Sequence, residues 1–291
     1  MAHATSCVRV MIRRKFTMKE KLKLLAVLAH PDDESLGFGG TLARYAVEGV
    51  ETYLVTATRG EAGRFGSLGR SGDPAEVGRV REAELRAAAD VLGIREVSIL
   101  GYPDGAVDQV PPAIAIRAIA SHIRRIQPHI IVTFGPEGGY GHPDHIAVSQ
   151  FTTAAIVCAA DVRYYIDDGS QADSPSPHRV EKLHYLAWRN NKWEAYQAAF
   201  RKLASRVDGV ERQAAPWPDW AVTTEIDTSA FWPLVWKAVC CHQTQMSVYQ
   251  KLQDLTEEQQ IALWGSQEFY RAYSSVNGGR NLEFDLFEGL R

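Results

Sequence analysis

Two short clusters in this chain hold the residue types that bind and use a metal ion. The first is His30-Pro31-Asp32-Asp33-Glu34, which follows directly on the apolar run Leu25-Ala26-Val27-Leu28-Ala29. The second is His142-Pro143-Asp144-His145, reached from the apolar run 130–134 through a glycine-rich loop over 135–141. Imidazole and carboxylate together are the ligand set of a catalytic zinc. His30 and Asp33 stand three apart, so in a turn or a first helical turn they share a face and one ion can take both. Asp32 then points elsewhere and remains a carboxylate beside the ion. His142 and His145 repeat the spacing and leave a choice open. If both bind, four protein ligands close the site; if one binds, a position stays open to water. Asp32 favours the open arrangement, because a structural site has no use for a spare carboxylate.

An open site has a defined chemistry. The metal supplies water activated near neutral pH. A neighbouring carboxylate takes a proton as water attacks a carbonyl, and a histidine steadies the oxyanion or protonates the leaving nitrogen. One His-Pro-Asp is by itself an ordinary turn, with Pro fixing φ and Asp capping a helix. Two such clusters, each at the end of a buried strand, call for more. The pattern predicts a metal-dependent hydrolase.

The elements that must position these clusters alternate. Strand-like runs over 24–29, 53–58, 97–100 and 130–134 are separated by helical periodicity over 39–47, 76–92 and 114–126, and helical periodicity resumes after His142 to Ala160. Gly93 and Pro128 are stop signals. The fold class is therefore α/β, a mostly parallel sheet with helices on both faces. Ligands bind such sheets at the carboxyl edge of the strands. Beyond residue 160 the pattern is less regular. A Ser/Asp/Pro-rich surface loop is expected over 167–179, strands over 183–188 and 222–226 with a polar, helix-prone stretch between them, and helices over 230–241 and 261–273. Residues 21–160 are expected to form the metal-site core and 161–291 to complete the same domain and its substrate pocket. Gly37-Phe38-Gly39-Gly40 is not G-x-G-x-x-G, so a dinucleotide site has little support.

Composition narrows the classes. The 291 residues are 45% hydrophobic and 23% charged with a net charge of -3, which suits a globular protein and argues against nucleic acid as a partner. Met11-Ile12-Arg13-Arg14-Lys15 is too short for a basic patch. No apolar stretch approaches the ~20 residues of a membrane span, so no membrane partner is expected. Residues 1–20 lack the apolar core of a secretory signal and read as a ragged leader, with Met18 an alternative start. Four cysteines, Cys7, Cys158, Cys240 and Cys241, form no CxxC pair and read as free thiols of a reducing, cytoplasmic setting. A homo-oligomer is compatible with the sequence, which does not determine the oligomeric state.

Ala29-His30-Pro31-Asp32-Asp33-Glu34 and Gly141-His142-Pro143-Asp144-His145 resemble the two signature motifs of the PIG-L/LmbE-like zinc deacetylases. Thr58-Arg59-Gly60-Glu61-Ala62-Gly63, Arg81-Glu82-Ala83-Glu84-Leu85, Leu92-Gly93, Tyr102-Pro103-Asp104-Gly105 and His242-Gln243-Thr244-Gln245 are also similar to family segments. The likeness is specific from Leu22 to about Ile156 and thinner beyond. It implies a Rossmann-like fold and a zinc-dependent hydrolase that removes acetyl from an N-acetylglucosamine-type sugar or glycoconjugate. It further implies His30, Asp33 and His145 as ligands, Asp32 as general base and His142 as the oxyanion-side or acid residue. Fe2+ can also occupy a site of two histidines and one carboxylate.

Weaker positions follow from the same reading. Arg81, by default a solvated helix charge, becomes a sugar contact, as do Asp104 in its Pro-Asp-Gly turn, Tyr140, Glu61 and His242; Arg64 and Gln245 are lesser candidates. Asp144 is expected to orient a ligating histidine. His142, if it serves the oxyanion, should be a cation held by Asp144 or another carboxylate. Trp217, Trp220, Trp232 and Trp236 are core by default, with one able to stack on a sugar. The alternatives are an amidase cleaving a larger acyl group from a thiol conjugate, a nucleotide-binding Rossmann-like protein, and a non-catalytic metal- or sugar-binding module.

Overall fold

The computed structural model describes residues 21–63, 72–166, 175–200, 204–207, 209–213 and 215–291. The first half is a run of β-α units: β1 (Lys23–Leu28), α1 (Asp33–Leu36), α2 (Gly39–Val47), β2 (Glu51–Thr56), α3 (Pro74–Leu92), β3 (Glu96–Ile99), α4 (Pro112–Ile126), β4 (Ile130–Thr133), the kinked turn α5 (Gly138–Gly141) and α6 (Pro143–Ala160). Then follow β5 (Lys182–Leu186), α7 (Asn190–Phe200), a small hairpin of β6 (Ser205–Val207) and β7 (Val210–Arg212), β8 (Thr224–Asp227), α8 (Trp232–Val239), α9 (Met246–Tyr249), α10 (Glu257–Trp264) and β9 (Ser266–Ser274).

The main sheet has the order β3-β2-β1-β4-β5-β9-β8. β3 through β5 are parallel, and β9 runs antiparallel to both β5 and β8. From β1 the chain winds outward through α2 and α3 to β3. It then returns to the other side of β1 through α4, and continues through α6 to β5. Right-handed crossovers in opposite directions place the two helix groups on opposite faces. α4 packs along α6, while α2, α3 and α8 pack together. β4 is buried throughout and β1 is buried from Leu24 on, as continuous apolar runs in a covered parallel sheet must be. The winding reverses between β1 and β4, and this is where ligands bind such sheets.

Local signals explain the boundaries. Pro74, Pro112 and Pro143 each stand in the first turn of their helix, where no intrahelical N–H is needed. Gly93 ends α3 with φ 74°, a left-handed cap. Gln127 adopts the same conformation at the end of α4, φ 56°, and its N–H bonds the Ile123 carbonyl.

One expectation needs correction. A helix over 261–273 is instead the end of α10, Gly265, and then β9. Phe269, Tyr270 and Tyr273 fall at a spacing a helix also permits, but ladders to β5 and β8 on both sides outweigh local preference. The helix-prone stretch after β5 becomes α7 followed by the β6–β7 hairpin. The loop expected over 167–179 falls partly outside the described residues, as do Cys7, Arg64 and residues 1–20. Among the described cysteines, Cys158, Cys240 and Cys241 are free and half-buried.

Candidate metal centre and its cavity

β1 and β4 deliver the two His-Pro-Asp clusters to one point. His30 Nδ1 lies 3.2 Å from His145 Nε2. Asp33 Oδ1 lies 3.4 Å from His145 Nε2, and Asp33 Oδ2 lies 3.6 Å from His30 Nδ1. A tetrahedral ion with bonds of ~2.0–2.1 Å has ligand atoms separated by about 3.3–3.4 Å. The three side chains therefore fit one such ion. Their other polar atoms are held in ways that free the inward ones. His145 Nδ1 meets the Gly138 carbonyl at 3.1 Å, and its ring stacks on Phe134 at 3.9 Å. His30 Nε2 faces Asp144 Oδ2 at 3.0 Å and Asp104 Oδ1 at 3.2 Å. Each histidine thus has an acceptor on its outer nitrogen, which leaves the inner lone pair for a cation.

The electrostatics agree with a cation site. Burial opposes charge on His30, but Asp104, Asp144 and Asp33 around it raise its pKa well above the usual value. Burial likewise opposes charge on Asp33, yet His145 and His30 hold its carboxyl below the ordinary range. Burial lowers His145 to about 3, so that it stays a neutral imidazole. Asp144 also accepts N–H bonds from Gly105 at 2.8 Å and Val107 at 3.0 Å, which ties the loop after β3 to the start of α6.

Asp32 sits one residue from the convergent set, with φ 116°, a left-handed conformation that costs a non-glycine residue of order 1–3 kcal/mol. The surroundings hold it there. Its N–H donates to Glu34 Oε2 at 2.9 Å. Its Oδ2 accepts from Arg81 Nη2 at 2.9 Å and from the Tyr249 hydroxyl at 2.6 Å. Burial raises the Asp32 pKa, with Arg81 pulling against it.

His142 occupies the N-cap of α6, and its Nδ1 accepts the Asp144 N–H at 3.2 Å. Its ring lies 4.8 Å from that of His30 and 5.0 Å from that of His145. Burial and the neighbouring His30 lower its pKa. The expectation of a cation held by Asp144 is not met. The Asp144 carboxylate faces His30, and an accepting Nδ1 leaves His142 neutral with its proton on Nε2.

The expected sugar contacts divide. Tyr140 and Asp104 line the cavity over the centre, a space of about 420 Å3. Burial and the surrounding carboxylates raise the Tyr140 pKa, so its phenol remains a donor. Asp104 is committed to His30 and to the Ala62 N–H at 2.9 Å. Arg81 is a correction. It touches the cavity wall, but it is buried and its guanidinium holds the Gly60 carbonyl at 2.7 Å, the Pro31 carbonyl at 2.6 Å and Asp32. A Cβ at Gly60, where φ is +69°, would fall 2.2 Å from Arg81 Nη1, so this contact requires glycine. Glu61 accepts the Asp104 N–H at 2.9 Å and so shapes the Asp104 turn from behind. His242 is fully buried, 2.8 Å from Glu34 Oε1, and supports the Asp32 turn from below the cavity.

Tyr249 had no sequence signal beyond lying shortly after His242-Gln243-Thr244-Gln245. The aromatic lining of the cavity, with Trp188, Tyr196 and Phe200, was equally silent; of the tryptophans singled out earlier, none lines it.

Residues 25–156 match the family model described as PIG-L: GlcNAc-PI de-N-acetylase. A 1D-myo-inositol 2-acetamido-2-deoxy-alpha-D-glucopyranoside deacetylase from Kineococcus radiotolerans is 33% identical, over 92% of this chain and 83% of its own length. The chain belongs to the PIG-L de-N-acetylase family. It is accordingly a deacetylase, a hydrolase acting on an amide C–N bond. Among solved structures, the N,N'-diacetylchitobiose deacetylase of Pyrococcus horikoshii shares the fold with a TM-score of 0.63 at 19% identity, covering 87% of this chain and 84% of that one. GalB, the 4-carboxy-2-hydroxymuconate hydratase of Pseudomonas putida KT2440, shares it equally, with a TM-score of 0.62 at 19% identity and coverage of 89% and 99%. The fold thus carries different reactions, and the PIG-L site itself must argue the chemistry. Among the described residues no helix is long and apolar enough to cross a membrane.

Proposed function

We propose that this PIG-L protein removes the acetyl group from an N-acetylglucosamine-type sugar or glycoconjugate, using a single divalent metal held by His30, Asp33 and His145. The observation that carries this reading is the convergence of His30 Nδ1, His145 Nε2 and the two Asp33 oxygens, at 3.2, 3.4 and 3.6 Å, with Asp32 held beside them. Two imidazoles and one carboxylate suit Zn2+, and also Fe2+. A bound metal there would polarise the amide carbonyl and activate water.

The chain's own residues supply the rest. Asp32 is the general base, and Arg81 and Tyr249 aim its carboxylate at the cavity side of the ligand triangle. A neutral His142, with its proton on Nε2, donates a hydrogen bond to the oxyanion, and the proton that Asp32 takes from water passes to the leaving nitrogen. Its accepting Nδ1 supports a role beside the metal rather than a fourth ligand. Tyr140 keeps a phenolic proton in the same cavity and offers a second donor. Residues beyond 160 complete the pocket.

A nucleotide at this switch point is disfavoured. Asp32, Asp33 and Glu34 crowd the start of α1, where a phosphate would need positive potential. A larger acyl group on a thiol conjugate is the remaining alternative.

Acetate release from N-acetylglucosamine glycosides by metal-reconstituted protein tests the proposal. Turnover should be lost on chelation and in Asp32→Ala. Release of a larger acid from an N-acylated thiol conjugate, with no acetate from any N-acetylated sugar, would favour the alternative.

A further inference from the structure

Tyr140 and His142 are carried to the cavity by a loop built on glycine. Gly138, Gly139 and Gly141 have φ of 70°, 71° and 87°. Gly139 combines its φ of 71° with ψ -68°, the rare and strained form of a three-residue turn. The start of the loop is closed by the Gly138 N–H on the Gly135 carbonyl at 2.9 Å, and the Gly138 carbonyl meets His145 Nδ1. Glycine gives access to such a path but also the freedom to leave it. Gly139 and the residues it leads to therefore need a hold of their own.

Glu137 stands at the head of this turn. Its Oε1 accepts the Trp217 indole N–H at 2.9 Å, across 80 positions of chain. The carboxylate lies back over the loop, where a Cβ at Gly135 would collide with it. Burial raises the Glu137 pKa, against hydrogen bonds from Trp217, from its own N–H and from the Gly139 N–H. One carboxylate thus joins the strained glycine to the indole. Trp217 is fixed in turn. Its backbone N–H bonds the Trp188 carbonyl at 2.8 Å, and its ring stacks on Tyr270 of β9 at 5.4 Å and 29°. Gly139, Tyr140 and His142 line the cavity, whereas Glu137 and Trp217 do not. The hold acts on the cavity only through the loop.

We propose that Glu137 and Trp217 are positioning residues for the deacetylation, their hydrogen bond fixing the loop over 135–142 so that it presents Tyr140 and His142 to the metal centre. The proposal rests on the reading of His142 and Tyr140 as donors to the oxyanion. Donors set in advance need no reorganisation as charge develops, so loosening the loop costs kcat more than KM.

The test is steady-state acetate release from inositol N-acetylglucosaminide and from free N-acetylglucosamine by metal-loaded full-length protein. Trp217→Phe keeps a ring against Tyr270 and removes the N–H. It should lower kcat by about 10-fold, the scale of one hydrogen bond to a charged group, with KM and bound metal little changed. Glu137→Ala should fall as far, and the two together no further than the larger single loss. Glu137→Gln, whose amide oxygen still accepts the indole N–H, should recover most of the parent kcat. In a Tyr140→Phe/His142→Ala background Trp217→Phe should leave kcat nearly unchanged, because the donors it places are gone; a general loosening of the fold would still cost activity there. If Trp217→Phe does not fold, Glu137→Ala carries the same comparisons. Parent kcat in both single variants, with activity lost in His142→Ala, would overturn the positioning role and leave the oxyanion reading standing. So would a loss that persists in the donor-free background, Glu137→Gln no better than Glu137→Ala, or losses confined to metal content. Parent kcat in Tyr140→Phe/His142→Ala, or no acetate from either sugar by the parent protein, would remove the reading beneath this inference and the inference with it.

Discussion

The Tyr249 hydroxyl donates to Asp32 Oδ2 at 2.6 Å, across 217 positions of chain. With Arg81 on the same oxygen, it places a strained, buried carboxylate beside the ligand triangle. Asp32→Ala should retain the metal and lower kcat by ~10²–10⁴-fold, the usual contribution of a general base. Tyr249→Phe should lower kcat by roughly 10-fold with KM and metal content little changed, as expected when one hydrogen bond to a charged group is removed. Metal analysis and steady-state kinetics on both variants check this; full activity in Tyr249→Phe would show that Asp32 is placed without it.

Ligation is tested at the triangle itself. His30→Ala, Asp33→Ala and His145→Ala should each lose most bound metal, while Asp104→Asn should keep more, since Asp104 acts through His30 Nε2. Elemental analysis of the purified variants decides. Metal retained at full occupancy in His145→Ala would place the ion elsewhere.

His142 is expected to serve chemistry and to cap α6. His142→Ala should keep the metal, reduce kcat by about 10²-fold or more, and lose about 1 kcal/mol of stability from the N-cap. Metal content, turnover and urea denaturation separate these effects. Metal lost together with activity would make His142 a fourth ligand.

Far from the centre, Glu283 is buried with Lys182 at 2.9 Å and is also contacted by Arg271, Asn277 and His184. Burial works against its charge, but His184, Lys182 and Asn277 bring its pKa down to about 2. Its stabilising contribution is therefore complete above its ordinary value near 4.5 and is lost as pH falls towards 2. That loss should amount to roughly 2–3 kcal/mol. Glu283→Gln should flatten the fall in stability over this interval and lower stability by about 3–5 kcal/mol at pH 7, because Lys182 is then buried without its partner. Denaturant midpoints of both proteins between pH 2 and 7 test the pair; parallel acid limbs would rule out Glu283 as their source.

Residues 22–160 were legible because each determinant there is local. Apolar runs of strand length, helical periods, Gly93 and the first-turn prolines need no distant partner to be read. The alternation by itself places both His-Pro-Asp clusters at one sheet edge. Local patterns fail where partners are remote. The run Phe269-Tyr270-Arg271-Ala272-Tyr273 suits helix or strand, and β5 and β8 make it a strand. Arg81 read as a solvated or sugar-facing charge, yet the glycine at position 60 leaves room for it to turn inward onto Asp32. Glu61 and His242 were expected in the pocket and instead brace it from behind, while Tyr249, Trp188, Tyr196 and Phe200 line it unannounced. What the sequence determined by itself was the donor set, because metal-ligand chemistry depends on residue type and short spacing. What only the tertiary structure decided was which polar groups face the cavity and which face each other, because that depends on packing between elements some 50 to 200 residues apart in the chain.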